Sequence, residues 1–206
     1  MFPFYCLIFY MVDISKEKPL VEKAKEGNRA AFAELVRLYG DRIYRLALRI
    51  TANEKDAEDV YQDTFLMAFK KIDQFKRDSS FFTWIYRIAI NMAFTKIKQR
   101  KKNFYEESLN EPDFDRIELK ETDSWQEVDI SKLDSDKFKR KLNETLEKLP
   151  EFYRTVFILR DLHGLSTEQT ANILGITPSN TKVRLMRARR MLKNELEDFL
   201  KKEGII

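Results

Sequence analysis

From Phe81 to Phe94 nearly every residue is apolar, and neither glycine nor proline interrupts the run from Ser79 to Lys102. Such a stretch predicts a helix buried over most of its circumference, against which other helices must pack. Five glycines and five prolines in 206 residues extend that expectation to long helices and few tight turns throughout. The polar exceptions are Thr83, Arg87 and Asn91, continued by Thr95 and Lys98, and their three-or-four spacing makes one stripe. An acid-free basic run follows, with Lys96, Lys98, Arg100, Lys101 and Lys102. Amides and cations side by side suit a single nucleic-acid strand, because phosphates meet Lys and Arg while amides reach base edges. Phe81, Phe82, Trp84 and Tyr86 are able to stack on bases, but aromatics at this density are expected in the core.

Two helices precede this one in the first block. After a short helix over Pro19–Lys25 closed by Gly27, Asn28 caps a long helix running to about Thr51. Its apolar stripe is Phe32, Leu35, Val36, Tyr39, Ile43, Leu46, Ala47 and Ile50. Gly40 interrupts it at roughly 1 kcal/mol, which packing must offset. The next helix, Asp56–Ile72, buries Ala57, Val60, Tyr61, Thr64, Phe65, Ala68 and Ile72. Asp56, Asp59 and Asp63 share another face, beside Gln62 and an exposed Leu66. The helix dipole favours acids near the N-terminal end but accounts poorly for Asp63 and Leu66. An acidic face with an apolar centre fits docking against a basic partner helix.

Charge divides the chain more sharply than its net +4 implies. Residues 103–137 hold twelve acids and four bases, a net of −8, which leaves +12 on the remainder. This segment has one proline, no glycine and little apolar periodicity, and is read as an irregular linker with a short helical piece near Ile117–Lys120. Its reach is ~120 Å extended and roughly 30–35 Å as a free coil. A second acid-free basic stretch, Gln169–Asn194, carries Lys182, Arg184, Arg187, Arg189, Arg190 and Lys193. Two basic patches flanking an acidic bridge point to two contacts with a polyanion.

Beyond the bridge, Phe138–Leu149 reads as a charged amphipathic helix stopped by Pro150, and Glu151–Asp161 as a second helix. Leu162, His163 and Gly164 form a turn in which His163 is expected to face solvent. Ser166 and Gln169 make a capping box for a short helix ended by Gly175. Thr177 as N-cap and Pro178 at the first position open the last helix, to about Lys201, with a core stripe of Leu185, Ala188, Leu192, Leu196 and Phe199. Short capped helix, glycine turn and basic second helix make a helix-turn-helix over Thr167–Met186. Ser179, Asn180, Lys182, Val183, Arg184 and Arg187 are then the residues presented to the major groove. Arg189 and Arg190 are left for phosphates or for pairing within the domain.

One cysteine (Cys6) and one histidine (His163) exclude a disulfide framework and a Cys-rich zinc site, and leave little for His-based chemistry. No catalytic residue, metal site or cofactor is expected. Phe2–Val12 is almost wholly apolar but too short for a membrane span, which needs ~20 residues, so no stable membrane insertion is expected. Met11 is the expected true start, with a weak interfacial anchor as the alternative.

The stretches DAEDVYQDTFLMAFKKIDQF and SSFFTWIYRIAINMAFTKIKQR resemble region 2 of the sigma-70 family, in its extracytoplasmic-function (ECF) group of RNA polymerase sigma factors. The stretch LEKLPEFYRTVFILRDLHGLSTEQTANILGITPSNTKVRLMRARRML resembles region 4. The resemblance implies an all-α chain of two small helical domains joined by a flexible acidic linker. Its divisions are an apolar extension over residues 1–12, region 2 over 13–102, the linker over 103–137 and region 4 over 138–206. It implies a cytoplasmic factor, monomeric when free, that binds core RNA polymerase and promoter DNA and is held by an anti-sigma factor. Asp56, Asp59, Gln62, Asp63 and Leu66 would dock on the polymerase. Arg87, Asn91, Lys96, Lys98 and Arg100 would take the −10 element, Asn91 lying where relatives contact a flipped base and where the helix is expected to break. The helix-turn-helix would read −35, and the acidic linker would thread the polymerase's basic active-centre and RNA-exit path. Two departures matter. Trp84-Ile85 stands where housekeeping relatives carry paired tryptophans, which implies weaker melting and a stricter promoter requirement. Ser179–Arg184 differs from the Gly-Thr-Val-Lys-Ser-Arg common in relatives, so their −35 sequence does not transfer.

Two other classes compete. A stand-alone helix-turn-helix regulator would bind duplex tightly without polymerase, but leaves the striped third helix and the linker unexplained. A nucleic-acid enzyme would have only Asp56, Asp59 and Asp63 for a metal, and dipole or docking roles explain these better.

Overall fold

The computed structural model describes residues 14–76, 80–102 and 136–202, all of whose regular elements are helical. The apolar N-terminal extension, the bulk of the acidic linker and the helical piece expected near Ile117 lie outside the described residues.

The first module holds α1 (Ile14–Lys25), α2 (Arg29–Thr51), α3 (Glu54–Lys71), a 3-10 turn (Ile72–Gln74) and α4 (Phe81–Lys102). The helix starts follow from local chemistry. Asn28 accepts from the Ala31 amide at 3.0 Å and Asn53 from the Asp56 amide at 2.9 Å, satisfying amides that the first turn leaves without partners. Ser80 does the same for Thr83 at 3.1 Å. Helix α2 ends at Ala52 in the left-handed conformation. Leu35, Ile43, Leu46 and Ile50 are wholly buried, each stabilising the bundle by about 1.5–3 kcal/mol of apolar transfer. Helix α4 is central, as its composition requires: Phe81, Ile85, Tyr86, Ala89, Ile90 and Ala93 are buried. It runs unbroken through Asn91, which lies on the exposed side and whose carbonyl also accepts from the Thr95 hydroxyl at 2.8 Å. Thr83, assigned to the polar stripe, is buried and bonds Ser80 Oγ at 2.9 Å. Helix α1 begins earlier than its proline predicts, with Pro19 inside it, and is tied down by the Tyr39 hydroxyl donating to the buried Glu17.

The second module holds α5 (Asp136–Lys148), α6 (Glu151–Phe157), a π turn (Ile158–Leu162), α7 (Thr167–Leu174) and α8 (Pro178–Lys202). The single helix expected over Glu151–Asp161 widens at Ile158, and the His163 amide reaches back to the Ile158 carbonyl at 2.8 Å. The core face of α8 is Leu185, Ala188, Leu192, Leu196 and Leu200, with Phe199 only partly buried. The sequence stripe therefore errs by one residue at its end, where Phe199 packs at the edge against Phe138. The cores of the two modules are continuous.

Candidate nucleic-acid interface

Helices α7 and α8 form the expected helix-turn-helix. Ser166 receives the Gln169 amide at 3.1 Å while Gln169 Oε1 receives the Ser166 amide at 2.8 Å, a complete capping box. Gly175 closes α7 with φ +67°, a conformation that glycine adopts without steric cost. Thr177 Oγ1 then accepts from the Asn180 amide at 3.1 Å and starts α8. Ser179, Asn180 and Lys182 are exposed on the first turns of α8, while Val183, Arg184 and Arg187 are half-buried. Arg184 donates from Nε to Asn180 Oδ1 at 2.9 Å, and its guanidinium lies 5.1 Å from the ring centre of Phe152. Arg189 pairs bidentately with Asp161 at 2.8 and 2.6 Å, which assigns it to the domain's own framework.

On the first module the acidic face of α3 and the basic tail of α4 meet. Lys96 Nζ lies 2.9 Å from Asp59 and 4.0 Å from Asp63, and Arg100 lies 2.8 Å from Asp56 while donating to the Thr51 carbonyl at 3.1 Å. Hydrogen bonding to Lys96 holds the Asp59 carboxyl below its usual range, and the same bond raises the Lys96 ammonium. Gln62 and Leu66 remain exposed beside these pairs, Leu66 at 53%, and Phe69 one turn on is 45% exposed. A cleft of about 330 Å³ opens between α3 and α4, lined by Met67, Lys71, Gln74, Trp84, Ile88, Asn91 and Met92. Arg87, Asn91 and Lys98 lie on the exposed side of α4.

The modules touch through polar contacts, some of them buried, that sequence reasoning missed. Arg87 donates to the carbonyl of Asn172, in the last turn of α7. Arg154, 6% exposed, donates to Ile50 at the end of α2 (3.0 Å) and to Glu147 and Leu149 at the end of α5 (3.1 and 3.0 Å). His163 is a correction to the expected solvent-facing turn residue. It is 9% exposed, with Nδ1 3.2 Å from the Tyr86 hydroxyl, because the first module covers the turn that carries it. Phe94 of α4 stacks on Phe152 of α6 at 5.4 Å.

Residues 35–103 match the family model of Sigma-70 region 2, and residues 139–192 match that of Sigma-70, region 4. The ECF RNA polymerase sigma factor SigW of Bacillus subtilis is 32% identical over 191 residues, covering 88% of this chain and 97% of its own. The chain belongs to the ECF sigma factors. RNA polymerase sigma-H factor of Pseudomonas aeruginosa is 30% identical, covering 93% of this sigma factor and 99% of its own length. Among solved structures, that of CnrH in complex with the cytosolic domain of CnrY superposes with a TM-score of 0.65 at 26% identity, over 89% of this chain and 98% of that one. As a sigma factor, the protein directs promoter recognition and transcription initiation by RNA polymerase, through a region 2 and a region 4 module.

The sigma factor's residues thus fall into two sets. Gln62, Leu66, Asn91, Lys98, Ser179 and Lys182 are exposed on the surface, whereas Arg87, Lys96, Arg100 and the Arg184–Asn180 pair are engaged in intramolecular contacts. Phe69 is exposed on the same side as Leu66 and was not singled out from sequence, although its position three residues after Leu66 was the available signal. Among the described residues no helix is long and apolar enough to cross a membrane.

Proposed function

We propose that the exposed side of α4 takes the −10 strand while the first turns of α8 read the −35 duplex. The observation that carries this reading is the pairing of two features in one chain. One is the capped helix-turn-helix with Ser179, Asn180 and Lys182 exposed at its reading end. The other is the cleft beside Asn91, where an amide, Trp84 and Lys71 converge as a nucleotide base and its phosphate require. The face of Asp56, Asp59, Gln62, Asp63 and Leu66 docks on core polymerase, its charge suited to a basic partner and its Leu66 to a desolvated centre. The factor acts in the cytoplasm, free as a monomer, and has no catalytic centre of its own. An anti-sigma factor is the regulatory partner this reading implies, and the solved CnrH structure carries a protein partner of that factor.

The test is run-off transcription from a matched promoter with core polymerase, with the factor, and with both. Specific transcript from the mixture alone is the expected result. Tight, sequence-specific duplex binding by the factor without polymerase, and no transcript from the mixture, would replace this reading with a stand-alone regulator.

A further inference from the structure

The exposed start of α8 holds an internal side-chain pair, and this carries an inference that deepens the −35 reading above and rests on it. Asn180 and Arg184 are four residues apart on α8 and so share one face. Arg184 Nε donates to Asn180 Oδ1 at 2.9 Å. The backbone beneath them is fixed by Thr177: its Oγ1 accepts from the Asn180 amide at 3.1 Å, and its carbonyl accepts from the Thr181 hydroxyl at 3.1 Å. Thr177 supplies the cap, so the Asn180 side chain is not needed to start the helix.

The bond has different consequences for its two members. A guanidinium carries five N–H donors, one on Nε and four on the terminal nitrogens. With Nε committed to Asn180, the fork left to a ligand is the end-on pair, Nη1 and Nη2. That fork matches two acceptors side by side, which in the major groove means guanine O6 and N7. Asparagine reads adenine by accepting from N6 with Oδ1 while donating to N7. Here Oδ1 already holds a charged donor, and a second donor brought to the same oxygen would crowd against the first. An arginine that nothing holds has many rotamers, several of which reach phosphates, and phosphates carry no sequence information. Holding Arg184 along α8 removes part of that freedom before DNA arrives.

We infer that Asn180 is a positioning residue for Arg184, not a reader of adenine, and that the pair acts as one unit selecting guanine at a single −35 base pair.

The experiment uses holoenzyme and a pool of duplexes built on a promoter the factor uses, with the −35 region randomised. Sequencing bound against unbound duplexes gives the base preference at each position. Arg184→Ala marks the position that Arg184 reads, as the one where guanine preference collapses. At that position Asn180→Ala should lower the guanine preference about two- to tenfold, the equivalent of ordering one long side chain, and leave the other positions unchanged. Asn180→Asp keeps the oxygen acceptor and removes the donor that adenine N7 needs. It should retain the guanine preference while weakening all sequences alike, by repulsion of phosphate. A residue that merely maintained the helix would lower affinity without changing the pattern. Asn180 lies on an exposed first turn, where the helix dipole favours a carboxylate, so both variants are expected to fold. Guanine preference at wild-type strength in Asn180→Ala overturns the inference, as does loss of an adenine preference at a neighbouring position in both Asn180 variants. A pattern unchanged by Arg184→Ala overturns it too. The −35 reading beneath it fails separately, if wild-type holoenzyme shows no base preference anywhere in the randomised region.

Discussion

The Tyr86 hydroxyl and His163 Nδ1 lie 3.2 Å apart across the junction of the two modules, 77 positions apart in sequence. Burial pushes the imidazole down to about 3 from its ordinary 6.5, with Arg42 and Arg49 of α2 adding repulsion. The packed junction therefore holds His163 neutral, whereas a chain in which the junction has parted lets it take a proton below about 6.5. The sign follows from linkage: the group's contribution is whole above pH 6.5 and is lost as pH falls from there toward 3. Between pH 7 and pH 5 the packed junction should lose about 2 kcal/mol relative to the parted one. Scattering at those two pH values should show expansion at pH 5 in the wild type and a weaker response in His163→Gln. Equal responses in the two proteins would remove His163 from the account.

A second prediction concerns the pairs between α3 and α4. Asp59 and Lys96 are exposed enough that breaking their bond should leave the fold intact. The proposed docking on a basic polymerase helix draws on the same carboxylates, so Asp59→Asn with Asp63→Asn should weaken core affinity about tenfold or more, as loss of close interfacial charge pairs does. The same double variant frees Lys96 for phosphate, so single-stranded −10 DNA should bind more tightly without polymerase. Titration against core polymerase, and anisotropy on a −10 oligonucleotide, read the two effects. Unchanged core affinity would move the docking face elsewhere.

Much of this architecture was legible because helix signals are local. Asn28, the Ser166–Gln169 box and Gly175 each act within four residues, and the structure uses all of them. The central position of α4 followed from its apolar circumference. Contacts between modules were not legible, since they join residues tens of positions apart by backbone carbonyls that carry no sequence signature. Arg154 sits in an apolar run, EFYRTVFIL, and only the arrangement of the α2 and α5 ends shows what it binds. His163 was misjudged for the same reason: a polar residue in a turn is exposed only if no other module covers it. The acidic face and basic tail were each visible in sequence, but not that they face one another.

Gly40 offers a test of packing against propensity. It lies inside α2, and a Cβ built there would meet Cε2 and Oη of Tyr61 at 3.4 Å, the near limit of ordinary contact. A helix-interior glycine costs about 0.8–1.0 kcal/mol relative to alanine, and Tyr61 is only partly buried and free to yield slightly. Propensity should win, so Gly40→Ala is expected to raise stability by up to about 1 kcal/mol. Thermal or urea unfolding measures this. Destabilisation would show that the α2–α3 contact needs the bare backbone.

Among the residues proposed to read −35, Arg184 is held by two interactions in the free protein. Its bond to Asn180 keeps the side chain along α8, and its place over Phe152 supplies about 0.5–1 kcal/mol of cation–π attraction. A bidentate contact to guanine supplies ~1–3 kcal/mol of discrimination, so duplex outcompetes the ring. Arg184→Ala should therefore lower −35 affinity by about tenfold within the holoenzyme, at constant salt. Removing the competitor, Phe152→Ala, should raise it slightly. The kind of contact can be separated as well. Loss confined to one base position marks base reading, while uniform loss across sequences, with a salt slope shallower by about one, marks a phosphate contact. A holoenzyme with wild-type −35 affinity and salt slope after Arg184→Ala would take this arginine out of the reading set and leave Asn180 and Lys182 to carry it.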